Sequence, residues 1–185
     1  MGDLPSLGDY NGDFVHPRLA VGGCPHPEDV PAFLAAGIRG IIDARACMLR
    51  EHVIYICSLP ETIHWHLLGT WDGIYPNAAW DAPSGRASAA TTVCPRYLEL
   101  MVERTMAVVR DHSPVLIHCG GGIGRSGNLA AVAYAALEGT TVPEALERMR
   151  ARRPQLGGWN PARYPGTDPD ALVRLARQVL HVPAE

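Results

Sequence analysis

One short segment concentrates residues able to do chemistry: His118-Cys119-Gly120-Gly121-Gly122-Ile123-Gly124-Arg125-Ser126-Gly127. Before it, Pro114-Val115-Leu116-Ile117-His118 reads as a short apolar strand, and after it residues 126–137 read as a helix of small and apolar residues. A glycine-rich turn between a buried strand and a helix start is an anion site, because backbone N–H groups converge there with the positive end of the helix dipole. The side chains sharing the turn decide what is done to the anion. The same field lowers a thiol pKa, which makes Cys119 a thiolate nucleophile at neutral pH. Arg125 adds a planar fork for two phosphate oxygens and for the charge that accumulates in phosphoryl transfer. Ser126 is placed to hydrogen-bond the sulfur and help it leave when a phospho-cysteine is hydrolysed, and His118 to order the loop from behind. Backbone N–H groups from Gly120, Gly121, Gly122, Ile123, Gly124 and Arg125 would ring the phosphate. Such chemistry needs no cofactor and no metal.

Two other readings of the segment are open to the residues alone. Gly122-x-Gly124-x-x-Gly127 satisfies the dinucleotide pattern GxGxxG, but that fold needs a second parallel strand after the helix, and Gly139-Thr140-Thr141 leads straight into another helix. Alternatively Cys119 is a buried structural thiol in a tight turn, which leaves the arginine facing the same turn unexplained. A variant of the first reading is a pseudophosphatase that binds phosphate without turnover.

His-Cys-x5-Arg-Ser/Thr arises by chance in a chain this long about once in a thousand or less. It is the signature of the protein tyrosine phosphatase superfamily, and the segment most resembles the dual-specificity branch. Pro17-Arg18-Leu19-Ala20-Val21-Gly22-Gly23 and Gly37-Ile38-Arg39-Gly40-Ile41-Ile42-Asp43 resemble that branch's opening strands, and Arg152-Arg153-Pro154 its arginine-proline turn. The resemblance spans most of residues 14–180 and is specific at 118–127. It implies a cysteine-dependent phosphatase, of protein tyrosine or dual-specificity type, acting through a phospho-cysteine. It also implies an aspartic acid on a mobile loop that protonates the leaving oxygen and then activates water. Asp72, in Trp71-Asp72-Gly73-Ile74-Tyr75-Pro76, matches that loop best, with Asp81 as the alternative. Gln155 or Asn160 falls where the family places a water-positioning amide, although Gln-Leu-Gly-Gly-Trp-Asn-Pro departs from the pattern.

Stepping outward, the expected frame is an α/β domain with a central, mainly parallel sheet flanked by helices, as one unit over 1–185 with a loose segment at 1–13. Short strands are expected at 14–15 and 18–21. A helix follows Pro27 with Val30, Phe33 and Leu34 apolar and Gly37 as its stop, and a buried strand then ends at Asp43. Residues 47–59 are ambiguous between helix and strand, and 63–68 alternate as a strand. Residues 69–94 carry no period; a loop of that length suggests a functional lid. Pro95 opens a helix ending near Asp111, with Tyr97, Leu98, Met101, Val102, Thr105, Val108 and Val109 on one stripe. Thr141 caps the next-to-last helix, and Asp168 the last.

Composition narrows the partners. The 16 basic residues are all arginine against 19 acidic ones, a net charge of −3, so neither nucleic acid nor an anionic membrane is favoured and lysine chemistry is excluded. The five cysteines, Cys24, Cys47, Cys57, Cys94 and Cys119, include no CxxC pair, which fits a reducing cytoplasm; the four outside the loop read as buried or incidental. Gly2 and Ser6 match only a loose myristoylation pattern. His64 and His66 share a strand face as two metal ligands would, but two ligands make no site, and pocket lining or core hydrogen bonding is the favoured reading. Arg45 reads as a surface ion pair or an extension of the anion site. The expected substrate is a phosphorylated protein, with a small-molecule phosphate (a nucleotide or sugar monoester) as the alternative. No basic side chain stands within 120–124, which disfavours a multiply phosphorylated inositide.

Overall fold

The computed structural model describes residues 4–45, 50–68, 95–159 and 167–180. Five strands form one sheet: β1 (Gly12–His16), β2 (Leu19–Gly22), β3 (Gly40–Asp43), β4 (His64–Leu67) and β5 (Val115–His118), in the order β1-β2-β5-β3-β4. β1 runs antiparallel to β2 and every other pair is parallel, as the sequence predicts. β5 is central. Val115 lies opposite Leu19 on one side and Gly40 on the other, so both ladders end together at His118.

Alternation along the strands divides the core between the two faces. Leu19, Val21, Ile42, Val115 and Ile117 join the larger cluster. It is closed by α3 (Pro95–His112), α4 (Arg125–Glu138), α5 (Val142–Arg150) and α6 (Pro169–Leu180). Ala20, Ile41 and Leu116 point the other way, against Leu7, Tyr10, Phe33 and Ile38, the last two from α1 (Val30–Ala35) and the turn after it. α4 passes between its neighbours because its side chains are small: Ala130, Ala131, Ala133, Ala135 and Ala136 are all buried.

Helix limits follow the expected signals. Gly139 ends α4 in the left-handed conformation (φ 67°), its N–H on Ala135 O. Thr141 and Glu144 form a reciprocal capping box at the start of α5, and Asp168 Oδ1 accepts from the Asp170 N–H (2.9 Å) at α6. α3 carries the expected stripe inward, with Tyr97 only half-buried, and also buries Met106. Two details differ. Leu34 is 46% exposed, because a six-residue helix seats only Val30 and Phe33 and leaves Leu34 at the margin. The ambiguous stretch is a helix over its described part, α2 (Arg50–Cys57); the strand propensity of its β-branched residues yields to the burial of Tyr55 against His118 at the end of β5. β5 is followed by α4 and then α5 with no further strand among the described residues, so the dinucleotide reading fails for want of its second strand.

Candidate active site

In an open parallel sheet, ligands bind beyond the carboxyl ends of the strands where the connections diverge. The loop at 119–124 leaves β5 at that point. Backbone bonds hold it: Cys119 N–H to Gly22 O (3.2 Å), Cys24 N–H to Gly120 O (2.9 Å), Gly157 N–H to Ile123 O (3.2 Å) and Asn128 N–H to Gly124 O (2.9 Å). Gly122 alone among the loop glycines has a positive φ, 70°. A Cβ there would also lie 2.5 Å from Gly22 C and 2.6 Å from Gly23 N. Gly122→Ala therefore adds about 1–2 kcal/mol of backbone strain to a backbone clash. The expected result is a melting temperature lower by about 5 °C or more and weakened phosphate binding, read by differential scanning calorimetry and an inhibition assay with inorganic phosphate.

Cys119 is 3% exposed and its Sγ lies 3.2 Å from Ser126 Oγ. Burial pushes the thiol pKa up. Hydrogen bonds from the Ser126 hydroxyl, the Ser126 N–H and the Gly122 N–H, together with the Arg125 charge, outweigh it and leave the pKa below its ordinary value. Arg125 opens α4 and folds back over the loop: a Cβ on Gly120 would sit 3.6 Å from its Nη2. The structure thus brings together Cys119, Arg125, Ser126 and the loop N–H groups. A thiol held below its ordinary pKa, the N–H groups of Ser126 and Gly122 directed at its sulfur, and the Arg125 guanidinium share this turn.

His118 is fully buried, its Nε2 2.8 Å from Tyr55 Oη, and Trp65 Nε1 donates to the same oxygen (3.1 Å). Burial, and then the Asp43 charge, hold the Tyr55 hydroxyl protonated far above its usual range. An indole N–H only donates, so the Tyr55 oxygen accepts from Trp65, and the direction of its bond with His118 Nε2 is set by the imidazole tautomer. Neither Tyr55 nor Trp65 was legible as a support, since their contact with His118 joins distant parts of the chain.

Arg45 departs from both sequence expectations. It is buried and paired in a fork with Asp43, Nε to Oδ1 (2.7 Å) and Nη2 to Oδ2 (2.5 Å), while Nη1 reaches Cys24 Sγ (2.9 Å). Asp43 closes β3 beside the loop, where Ala44 N–H bonds His118 O, so this is an internal brace. Cys24 is half-buried and Cys57 exposed. Arg153, flagged in sequence only by the arginine-proline turn, is 1% exposed and donates through Nε to Gly122 O (3.1 Å). Gln155 is exposed and lines a polar cavity of about 380 Å³ with Asn11, Asp13 and Arg152. His64 stacks on His112 at 3.9 Å, with His66 behind at 5.8 Å from His112. Face-to-face rings do not aim their nitrogens at a common point, and no group of three or more ligand side chains converges among the described residues. Asp72, Asp81, Asn160, Cys47 and Cys94 lie outside the described residues.

A strand, a loop carrying a thiol, and a helix opened by arginine are thus the setting of Cys119 and Arg125. Residues 92–179 match the family model described as PTP-SAK, Swiss Army Knife protein, DSP-PTPase phosphatase domain. No curated protein matches the chain. Among solved structures, TpbA of P. aeruginosa is 20% identical, with a TM-score of 0.59 over 93% of this chain and 91% of that one. The same protein in complex with pTyr gives 17% and 0.58 over 93% and 91%. DUSP15 gives 16% and 0.60 over 94% and 97%, and PTPMT1 in complex with PI(5)P gives 12% and 0.54 over 92% and 97%. At these identities the likeness is one of fold. The family match spans residues 92–179, under half of the chain, so what the comparisons show together is a dual-specificity-phosphatase-like fold.

Proposed function

We propose that the chain hydrolyses phosphomonoesters through a phospho-cysteine on Cys119, with phosphotyrosine-type protein substrates preferred. The observation that carries this is the pairing of Cys119 Sγ with Ser126 Oγ at 3.2 Å inside the anion loop, where the sulfur's charge is held by donors that also face an incoming phosphate. In the first step the Cys119 thiolate attacks phosphorus in line; the bond to the leaving oxygen breaks, and Asp72 gives that oxygen its proton. In the second, Asp72 takes a proton from water, which attacks phosphorus and breaks the S–P bond. Ser126 hydrogen-bonds the departing sulfur, and inorganic phosphate leaves. Arg125 and the loop N–H groups hold the equatorial oxygens throughout.

The preference rests on what surrounds the phosphate. Between Gly120 and Gly124 the only side chain is Ile123, 45% exposed. A loop segment with no basic side chain of its own between Gly120 and Gly124 suits one phosphate on an apolar or aromatic group better than a polyphosphorylated one. The neighbour bound to pTyr shares this fold and supports the reading. No helix among the described residues is long and apolar enough to cross a membrane.

A panel of phosphopeptides, nucleotide monophosphates and sugar phosphates tests the preference. Phosphotyrosyl peptides should give the highest kcat/KM, and a nucleotide or sugar monoester far ahead of every peptide would replace the reading by small-molecule hydrolysis. The rising limb of the pH profile should follow Cys119 ionisation and therefore lie below the ordinary thiol range; the falling limb should follow loss of the Asp72 proton. Asp72→Asn is expected to lower kcat by about 10²–10⁴-fold and to remove the falling limb. A variant with an unchanged profile would move the role to Asp81.

A further inference from the structure

Most of the loop is fixed by backbone donors, which no substitution can delete. Gly120 O, Ile123 O and Gly124 O accept from the N–H groups of Cys24, Gly157 and Asn128. Gly122 O differs: it accepts from a side chain, Nε of Arg153 (3.1 Å). The rest of that guanidinium is occupied on the outer side. Nη1 donates to Asp13 Oδ2 (2.9 Å), and Nη2 donates to Asn11 Oδ1 (2.9 Å) and Asn11 O (3.3 Å). Distributing the charge over these acceptors is what allows an arginine to be buried. The planar group thus spans from the segment entering β1 to the one loop residue in the left-handed conformation.

Gly122 is also where the loop reaches the sulfur, since its N–H donates to Cys119. Holding its carbonyl fixes the residue on both sides. A trans peptide sets N–H antiparallel to C=O, so tying Gly122 O to Arg153 turns the Ile123 N–H away from the guanidinium, and a cation on the carbonyl polarises that N–H as a donor.

We propose that Arg153 is a positioning residue: by clamping the Gly122 carbonyl, and being itself held by Asn11 and Asp13, it aims the loop's N–H donors at the Cys119 sulfur and the bound phosphoryl group. The proposal rests on Cys119 being the reactive group of the site.

The test is the pH dependence of Cys119 alkylation by iodoacetamide, followed by peptide mass spectrometry. It is run on the wild type, Arg153→Lys, Arg153→Met and the double variant Asn11→Ala/Asp13→Asn, with thermal melts and kcat and KM on p-nitrophenyl phosphate. Arg153→Met should move the ionisation midpoint to higher pH, lower the alkylation rate at pH 6 about tenfold and lower kcat/KM about a hundredfold. Arg153→Lys, which keeps the charge without the fork, should fall between. The double variant leaves Arg153 in place but unanchored, and should shift the midpoint the same way by less; it also serves if Arg153→Met does not fold. Folded variants with wild-type midpoints, whatever their melting temperatures, would overturn the positioning role alone. An alkaline shift in the variants of a protein that turns over no phosphate ester would uphold that role and remove the hydrolysis reading.

Discussion

Cys119→Ser is expected to lower turnover of p-nitrophenyl phosphate by about ten-thousand-fold or more while phosphate still binds. The change replaces one atom, and the bonds that shape the loop run through backbone groups of Gly22, Cys24, Gly120, Ile123 and Gly157, so the anion site should persist. What is lost is ionisation. The Ser126 hydroxyl, the Ser126 and Gly122 N–H groups and the Arg125 charge together overcome the burial penalty of a thiol. An alcohol starts several pH units higher, and the same donors cannot bring it to an alkoxide near neutrality. The outcome is read by steady-state kinetics beside calorimetric titration with phosphate. A serine variant that still turned over at a tenth of the wild-type rate would remove Cys119 from the reaction, and inactivity of both proteins with phosphate binding intact would mark a phosphate-binding pseudoenzyme.

Arg125→Lys should cost about a thousandfold in kcat/KM, although the charge is conserved. Arg125 lies at the first turn of α4 with Nη2 above Gly120, from where a planar fork can hold two phosphate oxygens at once. Lysine offers a point charge on a flexible stem. Its positive charge should keep much of the effect on Cys119, so the alkylation midpoint is expected to move little while kcat falls and KM rises. That split separates the fork from the field. Equal loss in alkylation and turnover would instead mean that Arg125 acts mainly through the thiol.

The distance along the chain between interacting groups governed what could be read in advance. The strand, loop and helix from Val115 to Glu138 are contiguous, and each is set by local rules: an apolar run, glycines, then small helix formers. Thr141 with Glu144, and Gly139 after α4, were legible for the same reason. The supports behind the loop were not. Arg153 joins Gly122 to Asn11 and Asp13, nearly the length of the chain away, and no local pattern marks a buried arginine. Asp43 and Arg45 are two residues apart and look like a surface pair; they are buried because β3 ends beside the loop and Cys24 covers the guanidinium. Tyr55 sits in a run whose β-branched neighbours suggested a strand as readily as a helix, and its use emerges only where α2 brings it to His118. His112 became the partner of His64 through the meeting of α3 with β4, a contact that spacing within either element does not specify.

Turnover through Cys119 requires a covalent bond between its sulfur and phosphorus. Wild-type protein quenched in denaturant during turnover of a radiolabelled phosphotyrosyl peptide, then digested and mapped, measures that bond directly. The label is predicted on the peptide carrying Cys119 and absent from the Cys119→Ser protein. Steady turnover with no covalent phosphoryl group, or with the label on another residue, would contradict it.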